Sequence, residues 1–309
     1  MSDAPQIVVV GSHAPGLFLR VRRVPRAGET VIGWDYQEPM DGGKGSNQAI
    51  AAAKLGASVS FVGCVGRDRI GDDGERWMRE AGVDTRYLRR SATTASGVGF
   101  IILDETGVPA MVTSMGANAE LTAAEIDAAL ARLSGARALL TQFEIDPHIA
   151  LHAARAARAY GMIAIVNPAP APEPPPEGLD AASILTPNET EARMLLGLDP
   201  ATPIELEPLA AQTRARTGVG QIIITAGEKG VVGADETGVW TVTPPTVEPV
   251  DTSGAGDVFC AALAVGLVEG RGLRMAAEWA CAAAALSVSR AGTIPAFPTR
   301  DEVNRFLEF

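Results

Sequence analysis

Short, wholly apolar runs recur along this chain with room for one helix between each pair, and that alternation restricts the fold more than any other feature. Ile7 to Val10 reads as a buried strand, Ser46 to Leu55 as a helix stopped by Gly56, and Val59 to Cys64 as a second strand. Helical patterns at about Leu121 to Leu133, Ile149 to Tyr160, Glu189 to Leu196 and Leu206 to Arg216 follow. They alternate with apolar runs at Ala138 to Thr141, Ile163 to Val166, Ile184 to Thr186 and Ile222 to Thr225. Strands that are apolar throughout are covered on both faces, and helices between them make right-handed crossovers. The expected fold class is therefore α/β, a three-layer α/β/α arrangement around a mostly parallel, Rossmann-like sheet. Two helices, about Ala255 to Glu269 and Leu273 to Arg290, are read as closing the chain.

Two stretches break the rhythm. Leu17 to Tyr36 is one; Gly97 to Ser114 is the other, with apolar strands on either side of the turn-like Glu105-Thr106-Gly107. They are read as a small β-sheet lid, residues 17–38 and 96–115, inserted in a single domain spanning 1–309. A chain of 309 residues, 47% apolar, suffices for one large core and such an appendage. The proline-rich stretch Pro168 to Pro176 reads as a loop.

Several function classes drop out. The longest apolar runs, Val258 to Val268 and Ala280 to Leu286, are shorter than the ~18 to 20 residues that cross a bilayer, so no membrane partner is expected. Met1 to Gln6 carries Asp3 and no basic cluster, unlike a secretory signal, which implies a cytoplasmic protein. Cys64, Cys260 and Cys281 lack metal or redox spacing and read as buried thiols. A net charge of -11 without a basic stripe argues against nucleic acid, but not against a small phosphate held by local amides.

Chemistry concentrates in two glycine turns that open helices. Asp251-Thr252-Ser253-Gly254-Ala255-Gly256-Asp257 leads into the apolar helix Val258-Phe259-Cys260-Ala261. Small residues there let unpaired amides approach an anion, and the helix dipole favours negative charge. Asp257 in the first turn is placed to accept a hydroxyl proton while Gly254, Ala255 and Gly256 hold a transferring phosphoryl group. The second turn is Asp41-Gly42-Gly43-Lys44-Gly45-Ser46-Asn47-Gln48-Ala49. It lacks the four-residue gap and following Ser or Thr of a P-loop, and its amides, lysine and Asn47 suit the hydroxyls of a polyol. A dinucleotide-binding dehydrogenase is disfavoured, because no GxGxxG follows the first strand.

With these turns in order, the chain resembles the ribokinase-like members of the phosphofructokinase B family of carbohydrate kinases over nearly its whole length. Three further motifs carry the resemblance: Gly63-Cys64-Val65-Gly66-Arg67-Asp68, Thr186-Pro187-Asn188-Glu189-Thr190-Glu191 and Thr225-Ala226-Gly227-Glu228-Lys229-Gly230. The resemblance implies ATP-dependent phosphorylation of a hydroxymethyl group on a small sugar, with Asp257 as general base and Gly254, Ala255 and Gly256 as anion hole. It implies that Asn188 serves the ATP phosphates, that Glu191 serves magnesium through its waters, and that Thr225, Ala226, Gly227, Glu228, Lys229 and Gly230 wrap the nucleotide. The resemblance also implies that Gly256 faces the nucleotide and that Cys281 stands in the purine-contacting region, where relatives often carry a polar residue. Gly42, Gly43, Lys44, Asn47 and Glu144 are implied to hold the sugar. A potassium ion is implied beside the anion hole, at Asp251 and near Ser253, Ser287, Arg290, Gly292 and Ala296. A homodimer joined through the lids is implied as well.

One departure bears on the acceptor. Ribokinases end their first strand in Gly-Ser-x-Asn-x-Asp, whose Asn and Asp grip the sugar; here Gly11-Ser12-His13-Ala14-Pro15-Gly16 lacks both. Losing a hydroxyl partner costs about 1 to 3 kcal/mol per group, so His13 and Asp41 are expected to read a different hydroxyl pattern. A nucleoside kinase of the same family and a sugar-binding sensor without turnover are the competing readings. The sensor is free to lose Asp257 or the glycine turn, and both are intact.

Overall fold

The computed structural model describes residues 7–106 and 109–308; Met1 to Gln6 and Gly107 of the expected lid turn lie outside the described residues. In chain order the first strands are β1 (Ile7–Val10), β2 (Gly16–Arg20), β3 (Trp34–Gln37), β4 (Val59–Val65), β5 (Asp84–Arg90), β6 (Val98–Leu103) and β7 (Pro109–Ser114). Then come β8 (Ala138–Gln142), β9 (Ile163–Asn167), β10 (Ile184–Leu185), β11 (Gln221–Thr225), β12 (Val231–Asp235) and β13 (Gly238–Val242). The helices are α1 (Gly43–Lys54), α2 (Arg69–Glu80), α3 (Ala123–Arg132), α4 (Pro147–Ala159) and α5 (Glu189–Leu195). They continue with α6 (Leu206–Thr217), α7 (Ala255–Val268), α8 (Leu273–Val288) and α9 (Arg300–Leu307).

The larger sheet has nine strands in the order β13-β12-β11-β10-β9-β8-β1-β4-β5. From β5 to β11 every neighbouring pair is parallel. β12 and β13 add an antiparallel edge, because short turns rather than helical crossovers precede them. The pleat of β1 sorts the core into two layers. Ile7 and Val9 pack with Ile50 of α1, Phe259 of α7 and Trp279 of α8. Val8 and Val10 pack with Leu130 of α3, Leu151 of α4, Leu195 of α5 and Leu209 of α6. The smaller sheet, β3-β2-β6-β7, is drawn from the two stretches that break the α/β rhythm. Its central pair β2/β6 is parallel, Gly16 opposite Gly99 through Arg20 opposite Leu103.

Helix α1 begins at Gly43, three residues before the expected Ser46, since glycines with poor helix propensity form its first turn. The pair α7 and α8 does not close the chain; α9 follows, capped reciprocally by Thr299 and Glu302. Pro168 to Pro176 is a loop between β9 and β10. Among the described residues, no helix is long and apolar enough to cross a membrane.

Candidate active site

The start of α1 is pressed against the end of β1 because Gly45 has no side chain. A Cβ there would lie 2.3 Å from Ser12 N and 2.5 Å from Ser12 O. Ser46 N–H donates to Ser12 O at 3.0 Å, and Ser46 Oγ to Gly42 O at 2.7 Å. The close approach brings Lys44, Asn47 and Gln48 of α1 to the site. Glu144 Oε2 accepts from Lys44 N at 2.8 Å and from Ser12 Oγ at 2.7 Å. Asn47 Oδ1 accepts from Gly42 N at 2.9 Å, and its Nδ2 donates to Asp41 Oδ1 at 2.7 Å and to Asp257 Oδ2 at 3.1 Å. Gln48 Nε2 donates to the other oxygen, Asp257 Oδ1, at 3.1 Å.

Asp257 belongs to the first turn of α7, whose N-cap Gly254 is left-handed (φ 74°) and supplies no side-chain cap. A Cβ on Gly254 would meet Thr293 Cγ2 at 2.7 Å and Phe297 Cε1 at 2.9 Å, so the turn requires glycine on both counts. Within the first turn, the N–H groups of Gly256 and Asp257 have no partner one turn back and face a cavity of about 290 Å³. Gly254, Ala255, Gly256 and Asp257 form one wall of it. Lys44 also lines it, together with Asn188 and Glu191 from the start of α5 and Thr225 from the end of β11. This is the carboxyl edge of the parallel sheet, where α/β folds place ligands.

Burial sets the electrostatics of this cavity. It pushes the Asp257 carboxyl up to about 6, against the opposing pull of the Lys44 charge and the Asn47 amide. Glu144 and Glu191 are likewise raised by burial, partly offset by Lys44. Burial works against the Lys44 ammonium too, but Asp257, Glu144 and Glu191 outweigh it and hold its pKa above the ordinary lysine value. One lysine thus stays charged among three carboxyl groups. At neutral pH Asp257 is ionised and yet a stronger base than an exposed aspartate.

Several residues named from sequence sit elsewhere or act differently. His13 is only 1% exposed. Its Nδ1 meets Ser46 Oγ at 2.8 Å and its Nε2 meets Ile70 O at 3.2 Å, so both nitrogens are spent within the protein and the expected substrate contact is corrected. Burial lowers its pKa to about 4, keeping the ring neutral. Cys281 does not line the cavity: it is packed into the core on α8, where burial raises its thiol to about 12. Of the segment Thr225 to Gly230, only Thr225 reaches the cavity wall. Asn188 and Glu191 cap α5 reciprocally, each side chain accepting the other's N–H at 2.8 Å, so the same pair that faces the cavity fixes its own helix start.

Asp251 lies beside the first turn of α7, and the loop carrying it is pinned to the end of α8. Val250 N and Asp251 N both donate to Val288 O, while Asp251 accepts from Ser253 N at 2.9 Å and Gly292 N at 3.0 Å. Although burial opposes its charge, these N–H groups hold its carboxyl below the usual range. Ser287 Oγ donates to Ala284 O, and the Arg290 guanidinium pairs with Glu302 at 2.8 Å, so Arg290 has only its backbone oxygen to offer a cation. Ala296 is buried in a short helical turn. Among the described residues no three His, Cys, Asp or Glu side chains cluster as a metal site.

Sequence reasoning passed over Gln48, Asn167, Thr186, Thr252 and Cys260. Gln48 holds Asp257, and the others line the cavity. Asn167 had a signal, since it ends a parallel strand at the ligand edge; Cys260 had none.

The model of the pfkB family of carbohydrate kinases matches residues 6–300. Ribokinase from Bacillus subtilis (strain 168) is 38% identical over 301 residues, covering 97% of this chain and 99% of that protein. Deoxyribokinase from Salmonella typhimurium is 32% identical over 306 residues, covering 97% and 98%. The structure of Arabidopsis thaliana ribokinase complexed with ribose and ATP aligns with a TM-score of 0.88 at 32% identity, covering 99% of each chain. With a family model spanning the whole α/β core and relatives aligned end to end, the chain belongs to the pfkB family of carbohydrate kinases, phosphotransferases that use an alcohol group as acceptor.

Proposed function

We propose that the chain transfers the terminal phosphoryl group of ATP to the hydroxymethyl group of a small neutral sugar, a pentose in the first instance, with Asp257 as general base. The observation that carries this reading is the buried Asp257 carboxylate, anchored through both oxygens beside an uncapped helix start in a cavity shared with Lys44. The acceptor hydroxyl gives its proton to Asp257 as its oxygen bonds to phosphorus and the bond to the departing ADP oxygen breaks. The free N–H groups of Gly256 and Asp257, with Gly254 and Ala255 shaping the turn, stabilise the phosphoryl oxygens. Lys44 adds a charge that its carboxylate neighbours keep protonated. Asn188 and Thr225, which line the same cavity, are assigned to the other phosphates, and Ala226, Gly227, Glu228, Lys229 and Gly230 to the nucleotide beyond them.

Magnesium fits these residues, because it keeps most of its water and needs one or two carboxylates plus substrate phosphates; Glu191 is that carboxylate here. When bound it neutralises phosphate charge. For potassium, the support is the pinned loop of Asp251 and Ser253 beside the backbone of Ser287, Arg290, Gly292 and Ala296, with Asp251 ionised.

The acceptor is read by Asp41, Asn47, Glu144 and the backbone of Gly42 and Gly43. Asp41 Oδ2 accepts from Gly16 N at 3.2 Å, and a side chain on Gly16 would begin 3.3 Å from that same oxygen. Asp41 thus fills the space left by the missing aspartate at position 16. Carboxylates around the acceptor favour hydroxyl donors and repel sugar acids and sugar phosphates. The test is acceptor-dependent ADP formation with magnesium and potassium across pentoses, hexoses, tetritols, sugar acids and nucleosides. Turnover is expected on a neutral pentose, with Asp41→Ala raising its KM about tenfold. Turnover only on nucleosides or acids, or sugar binding without any ADP formation, contradicts the proposal.

The small sheet supports a lid-to-lid homodimer. Trp34 and Tyr36 on β3, Phe100 and its register partner Val112 on β6 and β7, and Met111 are all at least 47% exposed, large apolar side chains that a partner would cover. Sedimentation velocity at micromolar concentration is expected to give a dimer, and a Trp34→Glu variant a monomer; a monomeric parent protein contradicts the pairing. The cytoplasm, where ATP is plentiful, is the proposed location.

A further inference from the structure

Beside the proposed base lies a line of buried side-chain amides that no step above uses. Gln48 Nε2 donates to Asp257 Oδ1 at 3.1 Å and, more weakly, to Asn167 Oδ1 at 3.4 Å. Gln48 Oε1 accepts from Gln142 Nε2 at 2.6 Å. Both glutamines are 0% exposed, and neither lines the cavity. Gln142 is the last residue of β8, and its register partner Asn167 is the last of β9.

Burying amides is unfavourable unless their hydrogen bonds are made, and a methionine of similar shape fills such space at lower cost. Here the cost is not even fully offset: Gln142 Oε1 has no partner among the described residues. The end of β1 is shaped around it as well, since a Cβ on Gly11 would lie 2.3 Å from that oxygen. A glutamine side chain can present either its oxygen or its NH₂ group to a neighbour, and an oxygen facing Asp257 would repel it. By donating to Gln48 Oε1, Gln142 occupies that oxygen and commits the Gln48 NH₂ group to the carboxylate.

We infer that Gln48, oriented by Gln142, is a positioning residue that holds Asp257 Oδ1 and stabilises its charged form for proton acceptance. The inference rests on the reading of Asp257 as base. Asp257 is also faced by Lys44, Asn47 and, electrostatically, Glu144, and Cys260 lies one turn further along α7; these remain in place when the glutamines are changed. Gln48 therefore contributes one of two amide bonds to the carboxylate, and its removal shifts the proton balance without emptying the site.

The test uses full-length protein labelled with ¹³C-carboxyl aspartate, the Asp257 resonance being assigned by its absence in Asp257→Asn. The carboxyl titration is followed in the parent, Gln48→Met and Gln142→Met, alongside the pH profile of kcat with D-ribose as probe. The Asp257 titration is expected to move up by about one pH unit in Gln48→Met, and by less in the same direction in Gln142→Met. Where D-ribose turns over, kcat near pH 7 falls about twofold, recovers toward pH 8.5, and leaves the KM for ATP unchanged. An unmoved titration in the folded variants overturns the inference, and because Gln142 does not touch Asp257, its variant decides the matter if Gln48→Met fails to fold. Turnover retained by Asp257→Asn is a separate result, one that overturns the base reading itself.

Discussion

Asp257→Asn is expected to lower acceptor-dependent kcat by about 10³-fold or more while making the protein relatively more stable as pH rises. The first effect follows from losing the proton acceptor, with the amides of the helix start and Lys44 left in place. The second follows from burial, which raises the folded-state pKa of Asp257 to about 6 from the ordinary aspartate value of 3.8. A carboxyl group with a raised pKa holds its proton better folded than unfolded. The stability it confers is present below the unfolded pKa of 3.8 and is lost as pH rises through about 6. Asparagine has no charge to bury. Urea unfolding of the two proteins should therefore show the variant gaining about 1 kcal/mol on the parent between pH 5 and pH 8. The same pKa places the acid limb of acceptor kcat/KM near pH 6 in the parent. A variant that loses activity without this pH-dependent gain would mean the carboxylate is not strained by burial.

Gly45→Ala should be the most damaging single methyl addition near the site. Alanine is worth about 1 kcal/mol over glycine inside a helix, so propensity alone favours the change. Against that, the new Cβ would lie 2.3 Å from Ser12 N and 2.8 Å from Gly11 C, both backbone atoms that cannot swing away. Overpacking of this kind costs about 3 kcal/mol or more and lifts α1 from the end of β1. Lys44, Asn47 and Gln48 ride on that helix, so activity should fall with stability. Gly256→Ala is the matched control: its Cβ would meet nothing within 4 Å, so stability is retained while a methyl group enters the cavity and lowers kcat. Equal unfolding midpoints for Gly45→Ala and the parent would contradict the packing account.

The parallel core was legible because its inner strands are covered on both faces and so read as apolar runs, as β1, β8 up to Leu140 and β9 up to Val166 do. Helix α2 was not, and the reason is physical. Its buried residues are Gly71, Gly74 and Met78, so its packed face consists largely of missing side chains and gives no apolar period. His13 was misread for the same cause. Its ring fills the space over Gly74, where a Cβ would lie 2.3 Å from Nε2, and accepts cover from a helix the pattern did not announce. β5, with Asp84, Arg86, Arg89 and Arg90, is an edge strand whose charges mask its pairing. The two glycine turns were legible because only close backbone approach explains so many glycines at two helix starts. The amide chain from Gln142 was not, because glutamines carry no sign of which partner they will meet across a fold.

The central claim is that Asp257, Lys44 and the start of α7 act together on one phosphoryl transfer. The most direct test is a structure of the protein with magnesium, an unreactive ATP analogue and the best acceptor of the panel. The account predicts an acceptor hydroxyl within hydrogen-bond distance of an Asp257 oxygen, in line with a terminal phosphate seated over the N–H groups of Gly256 and Asp257. A terminal phosphate bound away from that helix start, or an acceptor whose hydroxyls all lie beyond reach of Asp257, would contradict it.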